Sequence, residues 1–137
     1  ETDGEYAQQR YEEILACEDR KYYANVPNLL EVVLSEITKV CPRDRIEIVQ
    51  GRYEDVLPVQ TPQKAFDLVH IDCDWYESST VVLTYLKEHL NPGAILQIDD
   101  YGHWQGTKKA FDEVVWLHRY QARLVDDALV VDTSKEK

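Results

Sequence analysis

The sequence predicts an α/β domain built on a doubly wound, mainly parallel sheet, and three stretches carry that prediction. Phe66 to Ile71 is a short apolar run that breaks into Asp72-Cys73-Asp74. Ile95 to Ile98 is a second run, and it breaks into Asp99-Asp100. Between them Val82, Leu83, Leu86 and Leu90 recur at helical spacing, so the three read as strand, crossover helix and parallel strand.

The remaining elements follow in order. Residues 1–24 are charged and tyrosine-rich, with Tyr11, Ile14 and Leu15 as a weak helical stripe. Pro27 suits the first turn of a helix along which Leu29, Leu30, Val33, Ile37 and Val40 recur at helical spacing, and Cys41-Pro42 ends it. Ile46 to Val49 alternates and stops at Gly51, which predicts a strand. Arg52 to Leu57 reads as a loop or one helical turn, and Pro58 to Lys64 as a polar connection. Ser78 and Ser79 offer capping hydroxyls to the central helix, and Asn91-Pro92-Gly93 stops it. A helix over Thr107 to Tyr120 comes next. Two short apolar runs, Ala122 to Val125 and Ala128 to Val131, then predict a terminal antiparallel pair.

With no linker, repeat or low-complexity stretch, the 137 residues are expected to form a single domain. The formal net charge of −11 argues against nucleic acid and against an anionic membrane surface. No apolar run approaches the ~20 residues of a spanning helix. Cys17, Cys41 and Cys73 are an odd count without CxxC spacing, which predicts reduced thiols and a cytoplasmic location.

In open α/β sheets ligands sit beyond the carboxyl ends of the strands, so the two acidic turns aim at one volume. Asp72, Asp99 and Asp100 suit an oxygen-only site of the kind Mg²⁺ prefers. A lone aspartate there would more ordinarily cap a helix, but a cap needs one carboxylate and these turns supply several.

These residues also resemble a family. IDCDWYESS followed by LNPGAILQIDDYGHWQG is similar to the metal-dependent O-methyltransferases of the macrocin (tylosin-type) family, strongest from Phe66 to Gly106. The resemblance implies a Rossmann-like, class I S-adenosylmethionine-dependent fold, of which this chain supplies the C-terminal part. On that template Ile46 to Val49 is the third strand, Phe66 to Ile71 the fourth and Ala94 to Ile98 the fifth. Cys73 and Ala94 stand where the family carries glycine. The family's glycine-rich cofactor loop has no counterpart among the five glycines at 4, 51, 93, 102 and 106.

The resemblance implies transfer of a methyl group from S-adenosylmethionine to a hydroxyl of a sugar or other small natural-product-like molecule. It implies Asp72, Asp99 and Asp100 as Mg²⁺ ligands and Asp72 as the catalytic proton acceptor, with Asp74, His103 and His70 as alternatives. Arg52 and Tyr53, after the third strand, fall near the cofactor's adenine. Trp75, Tyr76 and Trp104 would wall the pocket. The implied partner is a small hydroxylated molecule, with a homo-oligomer as the one protein partner allowed for. The competing expectation is a non-catalytic α/β module that binds metal or assembles with other chains.

Overall fold

The computed structural model of the chain describes residues 2–16, 28–60 and 65–137. Its contacts divide into two units, one joining the residues up to Ala7 with Gly51–Lys137, the other spanning Gln8–Gln50. Helix α1, Gly4–Ala16, begins in the first and continues in the second. Cys17, Pro27 and most of the 58–64 connection lie outside the described residues, so the expectations placed there stand apart from the structure.

In the smaller unit, α2 runs over Leu29–Ile37 behind Asn28, which adopts a left-handed conformation. The helix ends at Ile37, short of Val40 and of the Cys41-Pro42 stop expected for it, and none of it is buried. The strand expected over Ile46 to Val49 does not form. Ile46 is extended, with φ −112 and ψ 122, but the segment joins no ladder. An extended chain becomes a strand only when a neighbour takes its backbone hydrogen bonds, and among the described residues no strand pairs with this segment.

The larger unit carries the sheet. After the single-turn helix α3, Tyr53–Val56, come β1 (Phe66–Ile71), α4 (Tyr76–Leu86) and β2 (Leu90–Ile98). Helix α5 (Gln105–Glu113), β3 (Tyr120–Val125) and β4 (Ala128–Glu136) complete it. The described strands form one sheet in the order β1-β2-β4-β3. β1 and β2 are parallel, while β4 runs antiparallel to both β2 and β3. The parallel crossover and the terminal antiparallel pair are therefore both present, as an α/β fold of this class requires.

Several boundaries differ from expectation. Helix α4 ends at Leu86, ahead of Asn91-Pro92-Gly93, and Leu90, expected on its buried stripe, opens β2 instead: Phe66 pairs with Leu90 and Leu68 already with Ile95, so residues 91–94 bulge from the ladder. Proline is tolerated there because a bulge asks for no ladder N–H. Helix α4 starts two residues before the serines, with Trp75 at its N-cap. Ser78 Oγ instead donates back to Cys73 O (3.1 Å) and Trp75 O (3.2 Å). Helix α5 stops at Glu113 rather than reaching Tyr120, because Val114 leaves the helical region at φ −84, ψ 83.

One face of the sheet holds the core. Ile71, Leu96, Ile98, Leu129 and Val131 pack against Val82, Leu83 and Leu86 of α4 and Ala110 and Phe111 of α5. Alternation along the strands sends Leu68 and His70 of β1 the other way, and Leu68 is 70% exposed. Among the described residues β1 is bonded on one side only, by β2.

Candidate functional site

Two strand ends make the site. The N–H of Asp99, one residue past β2, donates to Ile71 O at the end of β1 across 2.8 Å. The acidic turns therefore leave the sheet side by side. Each then places an aspartate in left-handed backbone, Asp74 at φ 54 and Asp100 at φ 50. Aspartate is among the few residues that tolerate this region, because its short side chain bonds locally. The turn after Asp100 closes through His103 N and Trp104 N, which both donate to Asp100 O at 2.9 Å.

The carboxylates fall into two overlapping groups. Ligand atoms of Asp72, Asp74 and Asp100 lie within 4.8 Å of one another, and so do those of His70, Asp72 and Asp99. Asp72 belongs to both. The expected set is thus distributed, with Asp99 on the His70 side and Asp100 on the Asp74 side. The His70 side chain is half exposed and its Nε2 lies 3.6 Å from Asp99 Oδ2. The reason is its register: alternation puts Ile71 in the core and His70 on the opposite face.

Crowding raises the pKa of Asp74. Burial is the main cause, repulsion from Asp72 and Asp100 adds to it, and His103 pulls the other way. A site whose own carboxylates oppose ionisation is one that a cation would relieve. The donors are hard oxygens on short, backbone-fixed turns, which fits a divalent ion of the Mg²⁺ type.

Tyr53 lies against this site. Burial and the neighbouring Cys73, Asp72 and Asp74 push its hydroxyl up to about 12. Burial likewise pushes the Cys73 thiol up to about 11, although the Tyr53 hydroxyl bonded to it works in the opposite sense. Beside Tyr53, Arg52 pairs with Glu54 and extends into solvent.

The three aromatic residues expected to wall the site separate. Trp104 is buried and packs on the half-exposed Trp75 at 5.8 Å between ring centroids. Tyr76 points elsewhere: its hydroxyl donates to Glu113 Oε2 at 2.5 Å, bracing α4 against α5. An open pocket of about 540 Å³ lies along α4 beside Trp75, lined also by Glu54, Tyr76, Ser78 and Val81. Sequence reading missed two residues here. Asp3 accepts from the Tyr76 N–H at 2.6 Å, and Tyr6 packs on His103 and Trp104. Their segment carries no motif, and only tertiary contact reveals them.

Residues 18–133 match the profile of the family described as Macrocin-O-methyltransferase (TylF). Among curated proteins, a tetracenomycin-C rhamnosyl 4'-O-methyltransferase of Streptomyces olivaceus is 36% identical over 58 residues, 42% of this chain and 22% of that protein. That relative's name gives 8-demethyl-8-(2,3-dimethoxy-alpha-L-rhamnosyl)-tetracenomycin-C as its substrate. Among solved structures, the O-methyltransferase NovP superposes with a TM-score of 0.72 at 21% identity, covering 100% of this chain and 56% of that one. The calicheamicin methyltransferase CalS11 gives 0.64 at 24% identity, covering 78% and 48%. These two likenesses bear on the fold. The chain spans 22% of that curated relative and about half of each of these solved structures.

Proposed function

The chain belongs to the macrocin O-methyltransferase family, and from that membership and its acidic site we infer that it contributes the acceptor side of an O-methyltransferase. The methyl donor is S-adenosylmethionine, and the acceptor is a hydroxyl on a sugar, a 6-deoxyhexose such as rhamnose, within a larger natural product. The rhamnosyl substrate in the curated relative's name supports this choice of sugar. One observation carries the reading: Asp72, Asp74 and Asp100 converge within 4.8 Å at the ends of adjacent parallel strands.

Asp72 takes the central role because it is shared by both groups of ligands and is itself exposed. It accepts the proton of the attacking hydroxyl. The oxygen then takes the methyl carbon in line and the sulfonium departs as a neutral thioether, so positioning supplies much of the rate. Asp72, Asp99 and Asp100, with Asp74 beside them, would hold Mg²⁺. A bound divalent cation supplies Lewis acidity, which lowers the pKa of a nearby hydroxyl. Tyr53 and Arg52 are assigned to the adenine side of the cofactor, a role supported by Tyr53 lying against the first acidic turn. The glycine-rich side of that cofactor pocket has no counterpart in this sequence.

A second reading is an α/β module that binds the cation without transferring a methyl group, which the converging carboxylates alone would serve. Calorimetry separates the two. S-adenosylmethionine is titrated into the protein with saturating Mg²⁺, and Mg²⁺ is titrated alone into wild type and Asp99→Ala/Asp100→Ala. Binding of both ligands, with Mg²⁺ binding lost in the double variant, supports the enzyme. Mg²⁺ binding without cofactor binding supports the module. Binding of neither removes the methyltransferase reading.

A further inference from the structure

We propose that residues 2–7 form a strap that builds the acceptor pocket, with Tyr6 as a residue that positions the sugar ring; this rests on the reading above. The strap is anchored at Asp3, whose Oδ1 accepts from the N–H of Tyr76 at 2.6 Å. That N–H is the first of α4, and Trp75 at the N-cap has no side-chain oxygen to satisfy it. The seat exists because residue 106 is glycine. A Cβ at Gly106 would stand 1.9 Å from Asp3 Oδ1 and 2.7 Å from Tyr76 N. At Gly4 the chain turns with φ +82, and a side chain there would meet Gln105 at 2.3 Å. Ala7 then closes the strap, 1% exposed.

This path delivers Tyr6 to the site. Its ring lies 5.3 Å from His103, edge-on, and 5.4 Å from Trp104. His103 donates its backbone N–H to Asp100 O at 2.9 Å, so Tyr6 packs on the turn that carries Asp100. Trp104 is the buried keystone, and Tyr6 and Trp75 flank it with 46% and 39% of their surface exposed. The result is an aromatic wall beside an oxygen-rich cluster. Such a pair suits a ligand with hydroxyls on one side and a C–H face on the other, which describes a pyranose ring. Without the strap, Trp104 loses its cover and the wall loses one of its rings.

The test is ligand-observed NMR titration of a methyl rhamnoside into the protein with Mg²⁺, in parallel with thermal melting. Tyr6→Leu keeps the packing volume and removes the ring face, and it is expected to weaken binding about fivefold or more. Tyr6→Phe is expected to stay within about twofold. Asp3→Ala should weaken binding through loss of the anchor, and Asp3→Asn, which keeps an oxygen acceptor for the Tyr76 N–H, should restore it. Tyr11→Ala, on the part of α1 that belongs to the other unit, should change nothing. Unchanged affinity in Tyr6→Leu overturns the strap while leaving the sugar reading intact. Absence of binding by wild type overturns the sugar reading and the strap with it.

Discussion

The N–H of Asp99 donates to the carbonyl of Ile71 across 2.8 Å, so the last rung of the parallel pair is made by the first residue of an acidic turn. Sheet and site are coupled through backbone. Side-chain changes at Asp99 therefore alter charge without removing that rung.

Ligand substitutions should then rank by membership. Asp72 is common to both groups, whereas Asp99 and Asp100 belong to one each. Asp72→Asn is expected to weaken Mg²⁺ or Mn²⁺ binding on the order of 100-fold, and Asp99→Asn or Asp100→Asn by roughly tenfold. Calorimetry on the three variants reads the order directly. Equal losses would show that the groups act as one undivided site.

Asp74 should make the metal-free protein sensitive to pH. Its folded pKa lies above the ordinary 3.8, chiefly through burial. The stability it contributes is therefore full below that value and lost as pH rises through the raised one. In EDTA, melting curves of wild type should decline across this window relative to Asp74→Asn. At neutral pH the variant should melt roughly 1–3 °C higher. Saturating Mg²⁺ should reverse the order, because it stabilises only the protein that binds it well.

The Cys73 thiol should be slow. Raised to about 11 from an ordinary 9.0, it carries roughly 100-fold less thiolate at pH 8 than an unperturbed cysteine. In a Cys17→Ser background, iodoacetamide should modify the partly exposed Cys41 well before the buried Cys73. Peptide mass spectrometry over time separates the two sites. Comparable rates would mean that the lid of Tyr53 over Cys73 opens readily.

Gly106→Ala should invert the usual rule for glycine in a helix. Alanine normally gains roughly 0.5–1 kcal/mol at such a position. Here the added methyl would collide with Asp3 Oδ1 and the Tyr76 N–H, so a loss of about 1–3 kcal/mol is expected. Paired with Asp3→Gly, the loss should shrink, since one of the two obstacles is gone. Urea melts of the four proteins in that cycle measure it.

What the sequence disclosed, and what it withheld, follows one physical line. β1, α4, β2 and β4 were legible because each puts residues into the core, and burial writes a period into the residues. Ile46 to Val49 carries the same alternation, yet a strand also needs a neighbour, which no local pattern records. The acidic turns were legible as a place, since both strand ends announce themselves in aspartates. Their division around Asp72 was not, because it depends on left-handed backbone at Asp74 and Asp100. Asp3 and Tyr6 were invisible for a different reason: their partners lie about 70 to 100 residues away, at Tyr76, His103 and Trp104.

Among the described residues one side of β1 is unpaired, and that bears on how this protein behaves as a solute. An apolar strand with a free row of backbone groups is a template for other strands, and Phe66 and Leu68 both contribute exposed surface to it. What holds molecules apart is mutual repulsion, with a formal charge of −11 on each. Raising ionic strength to about 1 M shrinks the reach of that repulsion to roughly 3 Å and leaves the edge as sticky as before. Salt, often added to keep a protein in solution, should drive this one out of it, and a single lysine at Leu68 should bring it back.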